Sequence, residues 1–305
     1  MLITSPLTTA GPSLDPIHDL ARLTEYPFMV SALEAGTIVA AMAGVIGWFM
    51  VLRRQTFAGH TLSVMAFPGA SGALLIGLSA AAGYFLFSGL VALAIGLAAT
   101  RRGSDDRGQE SALTGAIQAF GLACGFLFLS LYQGVLGSYE SLLFGSFLGI
   151  TSSQVLALAA VAAATLAVLA IAGRPLLFAS IDAGVAAARG VPTRAVGVGF
   201  LLLLGLAVAE TAQITGALLV FALLVAPPAT AQLITPRIGL SLVLSVALGV
   251  LVTWIGLALA YFYGYPVGFY ITTAAFVAYV LARAGRTVGD RVGPLRRARP
   301  LEAGA

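Results

Sequence analysis

The sequence contains no lysine, and all 16 of its basic residues are arginine. A phosphate-binding loop of the GxxxxGKS/T type needs a lysine beside the nucleotide phosphates, so this chain has no such loop. If ATP drives the protein, a separate chain must bind it. Charged residues of either sign are also scarce, at 9% of the chain, whereas a soluble domain has about 25%.

Cysteine is almost absent as well. The single residue, Cys124, excludes an internal disulfide, and it falls in an apolar run where a thiol packs as a small hydrophobe. Hydrophobic residues make up 59% of the sequence and the mean hydropathy is +1.00. These values predict a polytopic protein of the lipid membrane. The net charge of +4 lies in arginines beside apolar runs, so membrane topology accounts for it and no nucleic-acid partner is expected.

Nine apolar stretches approach the roughly 20 residues that a helix needs to cross a bilayer. They predict an all-α bundle of about nine transmembrane helices. A glycine-rich segment between the fourth and fifth, 134–150, is too short for a clear crossing, and we interpret it as a re-entrant or surface helix. The predicted spans are 29–52, 60–79, 83–100, 110–132, 152–173, 194–212, 214–233, 239–262 and 267–284.

The arginines predict the orientation of this bundle. With nine crossings, nine loop arginines and the six from Arg283 onward fall on one side, and only Arg22 falls on the other. Positive residues stay in the cytoplasm, so the N-terminus is expected outside and the C-terminus inside. Residues 1–28 then form an extracytoplasmic segment with a short interfacial helix, 29–284 the transmembrane domain, and 285–305 a basic cytoplasmic tail.

One predicted span carries two adjacent prolines, Pro227 and Pro228, followed by Thr230. A proline inside a helix leaves a backbone carbonyl without its partner. In a membrane that is tolerated where the carbonyl faces protein or a water-filled cavity. We therefore expect this helix to line the interior of the bundle and not its lipid face.

The longest connection on the predicted cytoplasmic side runs from Gly173 to Arg194. Ser180 or Asp182 can cap a short helix that ends at Arg189. Gly190 then suits the position after the helix, and Pro192 prevents its continuation. Such a helix is suited to docking another protein, although an ordinary connector would have the same pattern.

Several ordered stretches resemble the ABC-3 family of membrane permeases, which belong to bacterial ABC importers for zinc, manganese and iron. Leu52 to Gly59 resembles the family's LRR segment, and Tyr139 to Ser146 resembles its YLFGS segment. Ala188 to Pro192 resembles the end of its cytoplasmic coupling helix. Gly216 to Ala231 resembles its GALLV…PAATA helix, and Tyr265 to Gly268 resembles its late PxG turn.

The resemblance implies a permease of the vitamin-B12-importer type (type II), working as a homodimer in the bacterial plasma membrane. A cytoplasmic ABC ATPase would dock on the coupling helix, about 180–190, through Asp182, Arg189, Gly190 and Pro192. An extracytoplasmic solute-binding protein would deliver the substrate. The permease would bind no cofactor and would not be an enzyme, since the partner would use the ATP.

The same resemblance implies where the substrate passes. The family's pore motif reads roughly GDxLSHAxxPG, and the matching run here is Gly59 to Gly69. His60 stands where the family has its acid, Val64 where it has its histidine, and Ser63 keeps its place. His60 is therefore the candidate metal contact. Where many relatives carry a histidine in the fourth span, this chain has Ala119 or Phe120.

Two acids, Glu34 and Glu210, lie well within apolar runs, and we predict that they line an outer vestibule on the translocation path; a solvated place at the interface is the alternative. Two other functions stay open. The replacement of the family's acid and histidine favours an ABC importer of a metal chelate or small solute. A secondary transporter without ATP is less favoured, because ion-coupled carriers usually keep several buried carboxylates.

Overall fold

The computed structural model describes residues 23–101, 107–132, 142, 145, 149–217 and 219–297. Helices dominate these ranges, and nine of them have 15 or more residues. In chain order the helices are α1 (Pro27–Leu52), α2 (Thr56–Leu75), α3 (Ala80–Arg101), α4 (Arg107–Leu131), α5 (Ser152–Ile181), α6 (Ala183–Ala188), α7 (Thr193–Thr215), α8 (Val220–Ile234), α9 (Ile238–Tyr263) and α10 (Val267–Arg297).

Seven of these helices are long and apolar enough to cross a membrane. The other two long helices are α2, which carries histidine, threonine and serine side chains, and α8, which has only 15 residues. The prediction of an all-α membrane bundle of about nine helices is confirmed. Turns of three or four residues join α1 to α2, α2 to α3 and α9 to α10, so these consecutive helices run antiparallel.

The centre of the bundle is formed by α1 and α7, which are the most buried of the candidate spans, and by α8. The helix α1 packs against α9, α8, α5 and α7, while α2 packs against α3, α4 and α7. Because small residues let two backbones approach closely, the helix contacts form at glycines. Gly44 lies against the backbone of Ser245 and Val246, and Gly69 lies against the backbone of Gly83.

Two predicted boundaries are wrong, and the last helix is longer than the predicted span. The second span begins at Thr56 and ends at Leu75, so His60 lies in the second turn of α2 instead of opening it. The span predicted over 214–233 becomes helical only at Val220, after the turn that follows α7. The last helix continues beyond 284 to Arg297, through the first part of the expected basic tail.

The segment 1–22 and its predicted interfacial helix lie outside the described residues. So do most of 134–150 and residues 298–305.

Candidate functional site

The turn between α1 and α2 positions the histidine of the predicted pore motif. The N–H of Gln55 donates to the carbonyl of Met50 at 3.0 Å, and the N–H of Arg54 donates to that of Val51 at 3.0 Å. Arg54 adopts a left-handed conformation with φ of 58° to close the turn. The chain reverses within three residues, and His60 follows in the second turn of α2.

His60 meets side chains from two other helices. Its ring lies 4.8 Å from the ring of Phe221 on α8, edge to face. Its Nε2 lies 3.5 Å from the Nε2 of Gln118 on α4, the outer limit of a hydrogen bond. The hydroxyl of Thr61 contacts the Oε1 of Gln118 at 3.1 Å. We call these four residues the His60 cluster.

The Nδ1 of His60 is buried and has no hydrogen-bond partner among the described residues. Burying a polar atom without a hydrogen-bond partner costs free energy. Such atoms are commonly found where a ligand or water completes the site. Neutral imidazole is a ligand for several divalent transition metals. Nowhere in the described ranges do three or more His, Cys, Asp or Glu side chains gather as a metal-binding group. The cluster is therefore suited to a passing contact with a ligand.

Two of the residues predicted beside His60 face elsewhere. Ser63 is buried, and its hydroxyl donates to the carbonyl of Gly59 in its own helix at 2.9 Å. Since a hydroxyl has one proton, Ser63 has none left to donate to a ligand. Val64 packs against the hydrophobic core. Of these three residues of α2, His60 is the one whose side chain makes a polar or aromatic-ring contact with neighbouring helices in the described part of the chain.

The sequence analysis missed Gln118 and Phe221. It placed the position equivalent to the family's second histidine at Ala119 or Phe120, but both are exposed, and Phe120 is 74% exposed. The residue of α4 that faces His60 is Gln118. A lone amide within an apolar run was the available signal, because polar side chains inside a membrane usually face the bundle interior.

The two acids of the predicted vestibule have different surroundings. Glu34 is exposed in the second turn of α1. It lies roughly 27 Å along the helix axis from Leu52, the last residue of α1 before the turn that leads to His60. Glu210 is completely buried, and neither carboxylate oxygen has a hydrogen-bond partner among the described residues. Within the single chain Glu210 is enclosed by protein. Its place on an outer vestibule stays a prediction.

The proline pair lies inside the bundle, as predicted. Pro227, Pro228 and Thr230 are all buried in α8. Proline at 228 leaves the carbonyl of Leu224 without its helical donor, and this carbonyl lies against Gly47 of α1. The hydroxyl of Thr230 donates to the carbonyl of Ala226 at 2.7 Å. These prolines therefore serve close packing between α8 and α1.

The predicted short helix after α5 is present as α6. The Oδ1 of Asp182 accepts a hydrogen bond from the N–H of Val185 at 2.9 Å. At the other end Gly190, with φ of 85°, lets the N–H of Val191 reach the carbonyl of Ala186 at 3.0 Å. Asp182 is thus the cap in place of Ser180. Arg189 and Pro192 are exposed beside the helix end, so this surface is open to a partner.

Known proteins are similar to this chain over most of its length. The manganese transport system membrane protein MntC of Halalkalibacterium halodurans is 29% identical over 261 residues, 86% of this chain and 88% of that one. The chelated iron transport system membrane protein YfeC of Yersinia pestis is 30% identical over 257 residues, 84% and 86% of the two chains.

A solved structure, PsaBC from Streptococcus pneumoniae in complex with a Fab, superposes with a TM-score of 0.76 at 26% identity. That similarity covers 87% of this chain and 94% of the other. Residues 25–286, which hold the His60 cluster, the proline pair and α6, match the ABC 3 transport family. The chain belongs to the ABC 3 transport family.

Proposed function

We propose that this chain is the membrane-spanning permease subunit of an ABC importer and that its substrate is a divalent transition metal ion: manganese, iron or zinc. The His60 cluster carries the proposal, because it brings the imidazole of His60 against side chains of α4 and α8. The names of the manganese and chelated-iron relatives support the substrate class.

In this proposal the permease works as a homodimer in the bacterial plasma membrane, with its N-terminus outside and its C-terminus in the cytoplasm. A separate ATPase hydrolyses the ATP and docks on α6 and the exposed residues around it. A solute-binding protein delivers the ion from outside. The permease binds no cofactor of its own, and metal selectivity rests mainly with the solute-binding protein, because one imidazole and one amide hold a divalent ion weakly.

A direct test is to purify the chain together with the proteins encoded beside its gene. Copurification of an ABC ATPase, and elemental analysis that finds manganese, iron or zinc in the associated solute-binding protein, are the expected results. A solute-binding protein that carries no metal, together with the absence of an ATPase, would contradict the proposal. The control is Ala187→Glu, which places a charge on the exposed surface of α6. It should reduce copurification of the ATPase and leave copurification of the solute-binding protein unchanged.

A second candidate is an importer of a metal chelate or small solute, and the composition of the His60 cluster favours it. An imidazole, an amide and an aromatic ring are suited to an organic ligand as well as to a bare ion. The double change His60→Asp with Val64→His restores the family's acid and histidine at i and i+4. If the bare ion is the substrate, the double variant should keep ion transport. If a chelate is the substrate, the double variant should transport less of the chelate than the original permease does.

A further inference from the structure

Arg53, the residue after α1, contacts side chains of the α1–α2 turn, of α5 and of α7. Its Nε donates to the Oε1 of Gln55 at 3.1 Å, and its Nη1 donates to the hydroxyl of Ser180 at 3.1 Å. Its guanidinium lies 5.4 Å from the centroid of the Phe200 ring on α7. A planar guanidinium holds several partners at fixed angles, so Arg53 fixes the positions of these elements relative to one another.

Its polar partners lie at two functionally distinct places. Ser180 is in the last turn of α5, two residues before Asp182, which caps α6. Gln55 precedes α2, and its carbonyl accepts a hydrogen bond from the N–H of Gly59 at 3.0 Å. His60 is the next residue. The guanidinium of Arg53 therefore links the end of α5, just before α6, to the start of α2, the helix that carries His60.

The environment of Arg53 is unusual for a cation. It is half-buried, and burial lowers the pKa of its guanidinium. Within the described ranges its polar partners are a neutral hydroxyl and a neutral amide. Hydrogen bonds to neutral partners exchange more readily than a buried ion pair, whose breakage leaves an uncompensated charge. The geometry suits a contact that can be remade when α5 and α6 move.

We propose that Arg53 is a positioning residue that transmits movement of α6 to α2 and the His60 cluster, so that nucleotide binding by the partner ATPase reaches the translocation path. This inference rests on the proposed function. Three observations carry it: the hydrogen bond to Ser180 at the end of α5, the hydrogen bond to Gln55 before α2, and the cation–π contact of the guanidinium with Phe200.

The test uses the complex of the permease with its ATPase, in a Cys124→Ala background so that an added cysteine is the only thiol of the permease. Phe57→Cys places a reporter in the first turn of α2, where the side chain is 45% exposed. The rate at which this thiol is alkylated is compared between the nucleotide-free complex and the complex trapped with ATP and vanadate. Since coupling between distant sites is typically about 5- to 150-fold, the nucleotide should change this rate by about fivefold or more.

Arg53→Ala should reduce that nucleotide response to less than about twofold and lower ATP-driven uptake by about fivefold or more, while ATP hydrolysis stays within about twofold of its original rate. Loss of response with retained hydrolysis is not expected of a residue that only stabilises the fold. Arg53→Lys keeps one donor and the charge and should give an intermediate response. Arg54→Ala is the matched control, since Arg54 is exposed in the same turn, and it should respond fully.

If Arg53→Ala does not assemble, Ser180→Ala tests the same contact with the guanidinium in place. It should lower the nucleotide response. Where Arg53→Ala does assemble, adding Ser180→Ala to it should have no further effect, because the two changes remove one shared bond. A full response in Arg53→Ala or in Ser180→Ala would overturn the inference. Failure of the proposed function looks different: the unsubstituted permease would then bind no ATPase and respond to no nucleotide, which would overturn both.

Discussion

Gly47 of α1 packs against the carbonyl of Leu224 in α8, so close that a Cβ on Gly47 would overlap the carbonyl oxygen. The same Cβ would stand 2.9 Å from the Cγ of Pro228. Proline at 228 frees that carbonyl, and only glycine gives it room against α1. The proline in α8, Pro228, and the glycine in α1, Gly47, therefore depend on each other.

Gly47→Ala should be strongly destabilising, because the added methyl meets a backbone atom that cannot move without shifting α8. We expect a loss of about 1–3 kcal/mol, as for overpacking of a tight core. The measurement is the midpoint of thermal unfolding in detergent. Gly89→Ala is the control, since a Cβ at Gly89 meets nothing within 4 Å. Equal midpoints for the two variants would contradict this packing.

Glu210→Met should stabilise the protein, because it replaces a fully buried carboxyl that has no hydrogen-bond partner among the described residues with an apolar side chain of similar size. The gain should be about 1–3 kcal/mol, the cost of an unsatisfied buried polar group. It is read from the same unfolding midpoint. A large loss of stability would show that the carboxyl is bound by a group outside the described residues, such as a second copy of the chain.

Asp182→Ala should weaken docking of the ATPase, because it removes the cap of α6. Loss of a cap costs about 1 kcal/mol, which corresponds to about a fivefold loss of affinity if an ordered α6 is needed for binding. Asp182→Asn keeps a side-chain oxygen and should bind as the original does. Titration of purified ATPase against the permease measures the difference. Equal affinity for both variants would exclude α6 as an ordered docking element.

The predicted orientation can be checked with single cysteines in the Cys124→Ala background. Leu78 is exposed in the turn between α2 and α3, and Thr287 is exposed in the last part of α10. Leu78→Cys should react with a membrane-impermeant reagent added outside, and Thr287→Cys only after the membrane is opened. The opposite labelling would reverse the orientation, and labelling of both from one side would require an even number of crossings between them.

Much of this fold could be predicted from residue patterns that act locally. Apolar length predicted the spans. Asp182 and Gly190 predicted the short helix α6, since cap residues act within one turn. Pro227 and Pro228 predicted a buried helix, because an unpaired carbonyl cannot face lipid. The start of α8 was missed because a sequence that is apolar throughout does not show where α7 ends and the turn at Gly216 begins.

The candidate site was predicted less well. His60 was found through its motif, but its partners Gln118 and Phe221 come from α4 and α8, which lie far away in the sequence. The comparison with the family's motif pointed to Ala119 or Phe120, which are exposed, and the amide of Gln118 beside them was overlooked. Mostly apolar helices carry little periodic signal for which face turns inward. The burial of Glu210 could not be predicted for the same reason. Its burial depends on packing among helices, which no local pattern records.

The most direct measurement is uptake of manganese by proteoliposomes that hold the permease and its ATPase, with the solute-binding protein added outside. The account predicts uptake that requires ATP and both partner proteins, and that falls by about tenfold when His60→Ala removes the imidazole, a loss of about 1.4 kcal/mol at the transition state. Gly89→Ala, where the added Cβ meets nothing within 4 Å, should transport normally. Uptake that proceeds without ATP, or that is the same in His60→Ala as in the original, would contradict it.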